Sequence, residues 1–145
     1  MAGLLNVGEM GALGLHVLVN LAVMREQDAD ARRTVQEIAE KLHASVHTLQ
    51  KVARRLIMMG LVEGTRGVNG GLRLMVDPEK ISMLEVIEGV EGKINCNNCM
   101  FAKRVCPQNA RCIFDGVTGG LETMVREYFA RTTVADMRAS AMQPA

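Results

Sequence analysis

Aromatic residues are scarce in this 145-residue chain, which has no tryptophan, one tyrosine and three phenylalanines. Aliphatic residues and methionine must therefore build the core that an apolar content of 48% allows. The apolar run Met10–Met24 is too short for a membrane span and contains His16 and Asn20. The N-terminus lacks the basic start of a secretory signal, so we expect a cytoplasmic protein that does not enter a membrane.

Charge is nearly balanced overall, with a formal net charge of +1, but it is unevenly distributed along the chain. Residues 41–73 carry six basic side chains and one acidic side chain, which gives this block a net charge of +5. A basic block inside a near-neutral chain favours a local anionic partner, for which nucleic acid is the first candidate.

Hydrophobic periodicity predicts a mainly α-helical chain. Apolar residues recur at helical spacing over residues 9–25, and a capping-box pattern at Thr34 opens a helix that ends near Leu42. Ser45 is a suitable N-cap for the next helix, which is predicted to run to about Met59. Two helices joined by a tight turn, the second with a basic outer face, are typical of a helix-turn-helix motif.

A small β-hairpin is predicted directly after these two helices. Gly60 ends the second helix, and residues 61–63 and 72–76 are predicted strands on either side of a glycine-rich turn. A hairpin in this position turns the helix-turn-helix into a winged helix.

The C-terminal half is predicted to contain two further helices and a short capped turn. A capping-box pattern at Ser82 predicts a helix that stops near Gly89. Residues 114–130 keep helical spacing, and Thr133 opens a short capped turn. The tail from Ala139 is expected to fray.

The basic helix face could be a merely solvated surface, but the hairpin beside it favours DNA binding. Thr48, Gln50 and Lys51 lie early on the helix and are predicted to reach base edges in the major groove. Arg66, at the tip of the wing, is predicted to enter the minor groove. The predicted phosphate contacts are Ser45, Arg54, Arg55 and Arg73, and the predicted surface also includes Asn69 and Gly70 of the wing.

All four cysteines, Cys96, Cys99, Cys106 and Cys112, fall within 17 positions. Residues 92–112 also carry four basic side chains and no acidic one, which offsets the negative charge of a thiolate-ligated cluster. Four thiolates suit an iron–sulfur cluster, and we favour [4Fe–4S] over [2Fe–2S]. A zinc ion held by the same sulfurs and a thiol–disulfide switch without a cofactor both remain open.

Four runs of the chain form a recognisable set: residues 35–40, 60–62, 66–74 and 86–92. They resemble the Rrf2 family of bacterial winged-helix transcription regulators, and in particular its iron–sulfur cluster sensors, over about residues 7–137. The resemblance implies that the helix at about 114–130 is a long dimerisation helix, which crosses to a second subunit. It also implies a homodimer that binds a palindromic operator in double-stranded DNA.

The resemblance further implies that Cys99, Cys106 and Cys112 hold the cluster, with Cys96 as the candidate for a fourth ligand. The chain then divides into three parts. These are a winged helix-turn-helix domain over residues 1–80, a connecting helix and cysteine-rich loop over 81–113, and a dimerisation helix with a C-terminal tail over 114–145.

A protein-interaction module and an enzyme are the alternatives to a DNA-binding regulator. A protein-interaction module would use the cysteine-rich loop and the methionine-rich surfaces to bind a partner, with incidental basic charge. An enzyme is disfavoured, because the glycines of residues 67–71 lie in a predicted hairpin and not in a nucleotide-binding turn between strand and helix. No Ser/His/Asp arrangement stands out either.

Overall fold

The computed structural model describes residues 7–94 and 112–143 of the chain. Within these ranges the chain forms six α-helices and one two-stranded antiparallel sheet. The helices are α1 (Glu9–Gln27), α2 (Val35–Leu42), α3 (Val46–Met58), α4 (Met83–Glu91), α5 (Asp115–Arg131) and α6 (Val134–Ala141), and the strands are β1 (Val62–Thr65) and β2 (Gly71–Leu74). The predicted fold class, mainly α-helical with a winged helix-turn-helix, is confirmed. No helix in the described ranges is long and apolar enough to cross a membrane.

Helix α1 forms the centre of the core because it is apolar on several faces. Val17, Leu18 and Ala22 are fully buried. The helix packs against α3, α4, α6 and β2 of the same chain. The burial of this apolar helix is therefore largely achieved within one protomer.

Local side-chain chemistry fixes the helix-turn-helix. In the capping box of α2, the Thr34 hydroxyl accepts a hydrogen bond from the Glu37 N–H at 3.2 Å, and the Glu37 carboxylate accepts one from the Thr34 N–H at 2.7 Å. His43 then adopts a left-handed conformation with φ of 51°, and Ser45 caps α3. Leu49 of α3 is fully buried, so the opposite side of the helix is left to solvent.

In the β-hairpin, called the wing below, strand β2 is hydrogen-bonded along both of its edges. Glu63 of β1 lies opposite Arg73 of β2. The backbone of Arg33 adds a further pairing, because its N–H donates to the Leu72 carbonyl at 3.1 Å and its carbonyl accepts from the Leu72 N–H at 2.8 Å. These bonds fasten the wing to the loop before α2.

Replacing Gly71 by alanine is expected to loosen that junction. The φ of Gly71 is +141°, and a Cβ there would lie 2.8 Å from the carbonyl carbon of Arg33. We expect Gly71→Ala to lower the free energy of unfolding by about 1–3 kcal/mol, measured by urea denaturation. Gly119→Ala is the matched control, since it lies within α5 with open space around its Cβ and should be neutral or slightly stabilising. An equal loss of stability in both variants would contradict this explanation.

Helix α4 is longer than predicted. Ser82 caps it as expected, since its hydroxyl accepts a hydrogen bond from the Glu85 N–H at 3.1 Å. The prediction that the helix stops near Gly89 is wrong, because it continues to Glu91 and ends at Gly92, whose φ is +103°. A Cβ at Gly89 would collide with the side chain of Met59, so this glycine allows α3 and α4 to approach closely.

Helix α5 packs on α4 and contains no buried residue. Helix α6 returns to α1, and its first residue, Val134, is fully buried and donates its N–H to the Ile81 carbonyl at 2.9 Å. Thr133 is a cap as predicted, but it opens the helix α6 and not a short turn. The prediction of fraying from Ala139 is wrong, since α6 continues to Ala141. An ion pair of 3.1 Å between Arg138 and Glu26 helps to hold α6 against α1.

Candidate DNA-binding surface and cysteine segment

The outer face of α3 presents three of the predicted DNA contacts to solvent. Gln50, Lys51 and Arg54 are exposed, and none of them forms a hydrogen bond or ion pair within residues 7–94 and 112–143. Lys51 and Arg54 are three residues apart and so lie on one face of the helix. Thr48 is half-buried, and its N–H points to the hydroxyl of the capping Ser45 at 3.5 Å. Two cations and an amide are thus available to a partner along this face.

Arg55, the neighbour of Arg54, is placed differently. Its Nη1 donates a hydrogen bond of 2.7 Å to the carbonyl of Val90, in the last turn of α4. Arg55 was predicted to be a phosphate contact, and in the free protein its guanidinium already has a partner inside the chain.

The tip of the wing is exposed and tightly turned. The Gly70 N–H donates to the Gly67 carbonyl at 2.9 Å, and a Cβ at Gly70 would collide with the backbone of Thr65. Arg66 and Asn69 are exposed there without partners among the described residues. Because β1 packs against α3, these two side chains stand on an element adjoining the helix.

Arg73 lies at the base of the wing, in a network of ion pairs. Its guanidinium bonds to Asp30 at 2.6 Å and to Glu63 at 3.1 Å, and Arg32 bonds to the same Glu63 oxygen at 3.1 Å. The hydrogen bond from Arg32, reinforced by the charge of Arg73, holds the pKa of Glu63 below its usual value. Arg73 was predicted to be a phosphate contact. Its ion pairs with Asp30 and Glu63 also join the wing to the loop before α2.

Sequence reasoning missed most of that network. The pairing of Glu63 with Arg73 could have been found, because opposite charges face each other across the predicted strands. Arg32 and Asp30 lie in a segment that shows only a polar loop, and nothing in its pattern indicates a contact with the wing.

Of residues 95–112, called the cysteine segment below, the structure describes only the last, Cys112. Cys112 is exposed, is not part of a disulfide and lies three residues before the start of α5. Cys96, Cys99 and Cys106 lie outside the described residues. The structure therefore places one of the four predicted ligands, and that one has an accessible thiol.

The residues that lead into the cysteine segment are held in place by an ion pair between α4 and α5. The Glu88 carboxylate accepts a hydrogen bond from the Ile94 N–H at 3.2 Å and pairs with the guanidinium of Arg126 on α5. The hydrogen bond from Arg126 is the main reason that the pKa of Glu88 lies below its usual value. Ile94 itself is buried, so the chain enters the segment from a fixed point beside α5.

Glu91 links the same region to α1. Its carboxylate accepts hydrogen bonds from the N–H of Gly8 at 2.7 Å and from the N–H of Gly11 at 2.8 Å. These are donors that the start of a helix leaves unpaired, and a negative charge is favourable there. No local sequence pattern indicates this contact, because it joins residues 80 or more positions apart.

Helix α5 displays an apolar face to solvent. Val117, Met124 and Tyr128 are 55%, 66% and 63% exposed, and Ile113 just before the helix is 85% exposed. Leu121, Met124, Val125, Tyr128 and Phe129 line a shallow groove along this face. Glu127 and Arg131 complete the lining of the groove, and exposed apolar side chains clustered in this way are typical of an interaction surface.

The chain is similar in sequence to known proteins. The profile of the Rrf2 family, described as iron-dependent transcriptional regulators, matches residues 8–140. The HTH-type transcriptional regulator NsrR of Bacillus subtilis is 37% identical over 99 residues, which are 68% of this chain and 66% of that protein. The match thus spans about two thirds of the length of this relative.

Solved structures show the same fold. CymR, the global cysteine regulator of B. subtilis, superposes with a TM-score of 0.71 at 21% identity, over 93% of this chain and 97% of that chain. IscR of T. potens superposes with a TM-score of 0.70 at 22% identity, over 97% of this chain and 92% of that chain. At these identities the two structures establish the fold alone.

Proposed function

The chain belongs to the Rrf2 family of transcriptional regulators, and we propose that it is a homodimer whose affinity for a palindromic operator depends on a cysteine-held iron–sulfur cluster. A DNA-binding regulator follows from the family itself, and the relatives are regulators and not enzymes, as predicted. The dimer, the operator and the cluster are the proposed parts, and the cytoplasm, where the DNA lies, is the proposed location.

The unpartnered cations of α3 and the wing carry the DNA-binding part of the proposal. Lys51, Arg54 and Arg66 are exposed and without partners in the described chain, so they can neutralise phosphates at no cost in broken ion pairs. Gln50 and Thr48 stand on the same helix, where base edges of the major groove would be read. Asn69 and Gly70 shape the tip that would carry Arg66 into the minor groove.

The exposed apolar face of α5 supports a second copy of the chain as its occupant. A palindromic operator requires two equivalent readers related by a two-fold axis, which an α5–α5 contact would provide. The recognition helices would then lie at a separation set by this contact, about one helical turn of DNA apart. Burial of the face would also remove an apolar surface from water.

The cysteine segment supplies a donor set that fits an iron–sulfur cluster. Cys112 has an exposed free thiol, and soft thiolates are the usual ligands of such clusters. Cys96, Cys99 and Cys106 enter the proposal on the sequence alone. Four cysteines can hold either a [4Fe–4S] or a [2Fe–2S] cluster, and [4Fe–4S] is the one that we propose.

A bound cluster would supply a group that is sensitive to oxidation, to nitric oxide and to iron supply. The chain's own part is to place this group between a DNA reader and a dimer helix. Ile94 and the Glu88–Arg126 pair fix one end of the segment beside α5, and Cys112 lies at the start of the same helix. A change within the segment would thus act close to the proposed dimer contact.

DNA binding should fall steeply as salt rises, because it rests on phosphate contacts. We expect Arg54→Met to reduce the slope of log affinity against log salt by about 0.9 for each protomer. The measurement is a fluorescence-anisotropy titration of a duplex at several salt concentrations.

Lys80→Met is the matched control, since it removes one exposed cation from the short turn before α4, outside the proposed surface. Its slope should equal that of the wild type. Absence of any DNA binding by the wild type at low salt, in every state of the cysteine segment, would instead favour the protein-interaction module.

A further inference from the structure

Two adjacent arginines of α3 differ in what they bind. Arg54 is exposed and has no partner within the described chain. Arg55 donates from Nη1 to the Val90 carbonyl at 2.7 Å, and this bond is partly buried. The two side chains carry the same charge, but only that of Arg55 is committed to the protein.

The Val90 carbonyl, which accepts this bond, lies in the last turn of α4, where a helix needs a cap. The last carbonyls of an α-helix have no partner within the helix, and a cation near them is favourable. Helix α4 has no basic residue in its own last turn and finishes with the acidic Glu91. Arg55 therefore provides from α3 the cationic cap that α4 lacks.

A second contact lies beside the first. Met59 is four residues after Arg55, so the two project from the same face of the chain as it leaves α3. The Met59 side chain lies where a Cβ on Gly89 would stand, which brings the end of α3 against the last turns of α4. Helix α3 is thus joined to α4 at two points, one polar and one apolar.

The last turn of α4 is also the meeting point of the other elements. The Glu88 carboxylate accepts a hydrogen bond from the Ile94 N–H and pairs with the guanidinium of Arg126 on α5, and Glu91 caps the start of α1. The chain then leaves this turn directly into the cysteine segment. Any displacement of the turn would reach α3 through the Arg55 bond.

We infer that Arg55 is a positioning residue for DNA recognition, which sets α3 on the last turn of α4 and does not bind phosphate. The inference rests on the proposed DNA-binding function. It replaces the role in phosphate contact that the sequence predicts for Arg55.

The test compares Arg55→Met with Arg54→Met on two DNA duplexes. One duplex is selected by the wild type from a randomised library, and the other is unrelated in sequence. Arg55→Met should weaken the selected duplex by about tenfold at every salt concentration, as expected for loss of a charge-assisted hydrogen bond. It should leave the salt slope and the affinity for the unrelated duplex unchanged. Arg54→Met should weaken both duplexes and reduce the slope by about 0.9 per protomer.

Circular dichroism first establishes that each variant is folded. If Arg55→Met does not fold, Arg55→Gln replaces it, because glutamine removes the charge but keeps an N–H donor for the Val90 carbonyl. A salt slope for Arg55→Gln equal to that of the wild type would support the inference. A reduced slope, with both duplexes weakened, would overturn it while leaving DNA binding intact. If the wild type enriches no duplex from the randomised library and does not bind the unrelated one at low salt, the proposed function and the inference both fail.

Discussion

Replacing Met124 by glutamate is expected to dissociate the protein into monomers and to lower its affinity for an operator by at least about a hundredfold. Met124 is 66% exposed in the protomer and lies in the apolar groove of α5. In the proposed dimer this side chain is covered by a second copy, and a glutamate would bring an unpaired charge into that interface. Each half of the operator would then be bound separately, without the gain from joining two readers.

Thr123→Glu is the control for this prediction. Thr123 is exposed and lies outside the groove, and within residues 7–94 and 112–143 its hydroxyl bonds only to the Gly119 carbonyl of its own helix. The same new charge is therefore placed away from the apolar face. Sedimentation equilibrium should give the mass of a dimer for Thr123→Glu and of a monomer for Met124→Glu. A dimeric Met124→Glu variant with unchanged affinity would show that α5 is not the interface.

Replacing Cys112 by serine is expected to remove most of the cluster iron. The metal ligand is a thiolate, and a serine hydroxyl is a hard and normally neutral group in its place. The exposed Cys112 is the proposed ligand that precedes α5, so this change tests the site at its described end. Iron and acid-labile sulfide per chain should be measured after purification without oxygen, together with the visible absorption.

Thr118→Ala serves as the control near the start of the same helix. Among the described residues, the Thr118 hydroxyl bonds only to the backbone carbonyls of Phe114 and Asp115, so its loss should leave the iron content unchanged. Cys96→Ser, measured in parallel, decides whether the segment supplies the fourth ligand. A Cys112→Ser variant with wild-type iron and sulfide would remove Cys112 from the proposed ligand set.

Local chemistry made much of the fold predictable from the sequence. The caps of α2, α3, α4 and α6 lie at Thr34, Ser45, Ser82 and Thr133 as predicted, because a cap depends on residues within one turn of the helix. The wing follows equally from alternating strands around a glycine-rich turn.

Long-range packing accounts for the features that the sequence did not reveal. Gly89 was interpreted as a helix stop from its own residue type, whereas the side chain of Met59 explains its presence. The tail from Ala139 was expected to fray because chain termini are usually poorly ordered, yet α6 is docked on α1 and continues to Ala141. A pattern within ten residues cannot indicate which distant element will cover it.

The candidate site shows the same division. The exposure of Gln50, Lys51 and Arg54 follows from helical periodicity and is found in the structure. The partners of Arg55 and Arg73 could not be anticipated in full, since a backbone carbonyl and two loop residues take part. The assignment of Gln50, Lys51, Arg54 and Arg73 to DNA stays a prediction, whereas for Arg55 we propose a positioning role instead of a phosphate contact.

The iron and sulfide content of the wild-type protein, purified without oxygen, tests the central claim most directly. We predict a brown protein with visible absorption and with iron and sulfide close to the amounts of one cluster per chain. A colourless protein with one zinc ion per chain would contradict the claim and favour the zinc alternative. A colourless protein without metal would leave the thiol–disulfide switch as the explanation of the four cysteines.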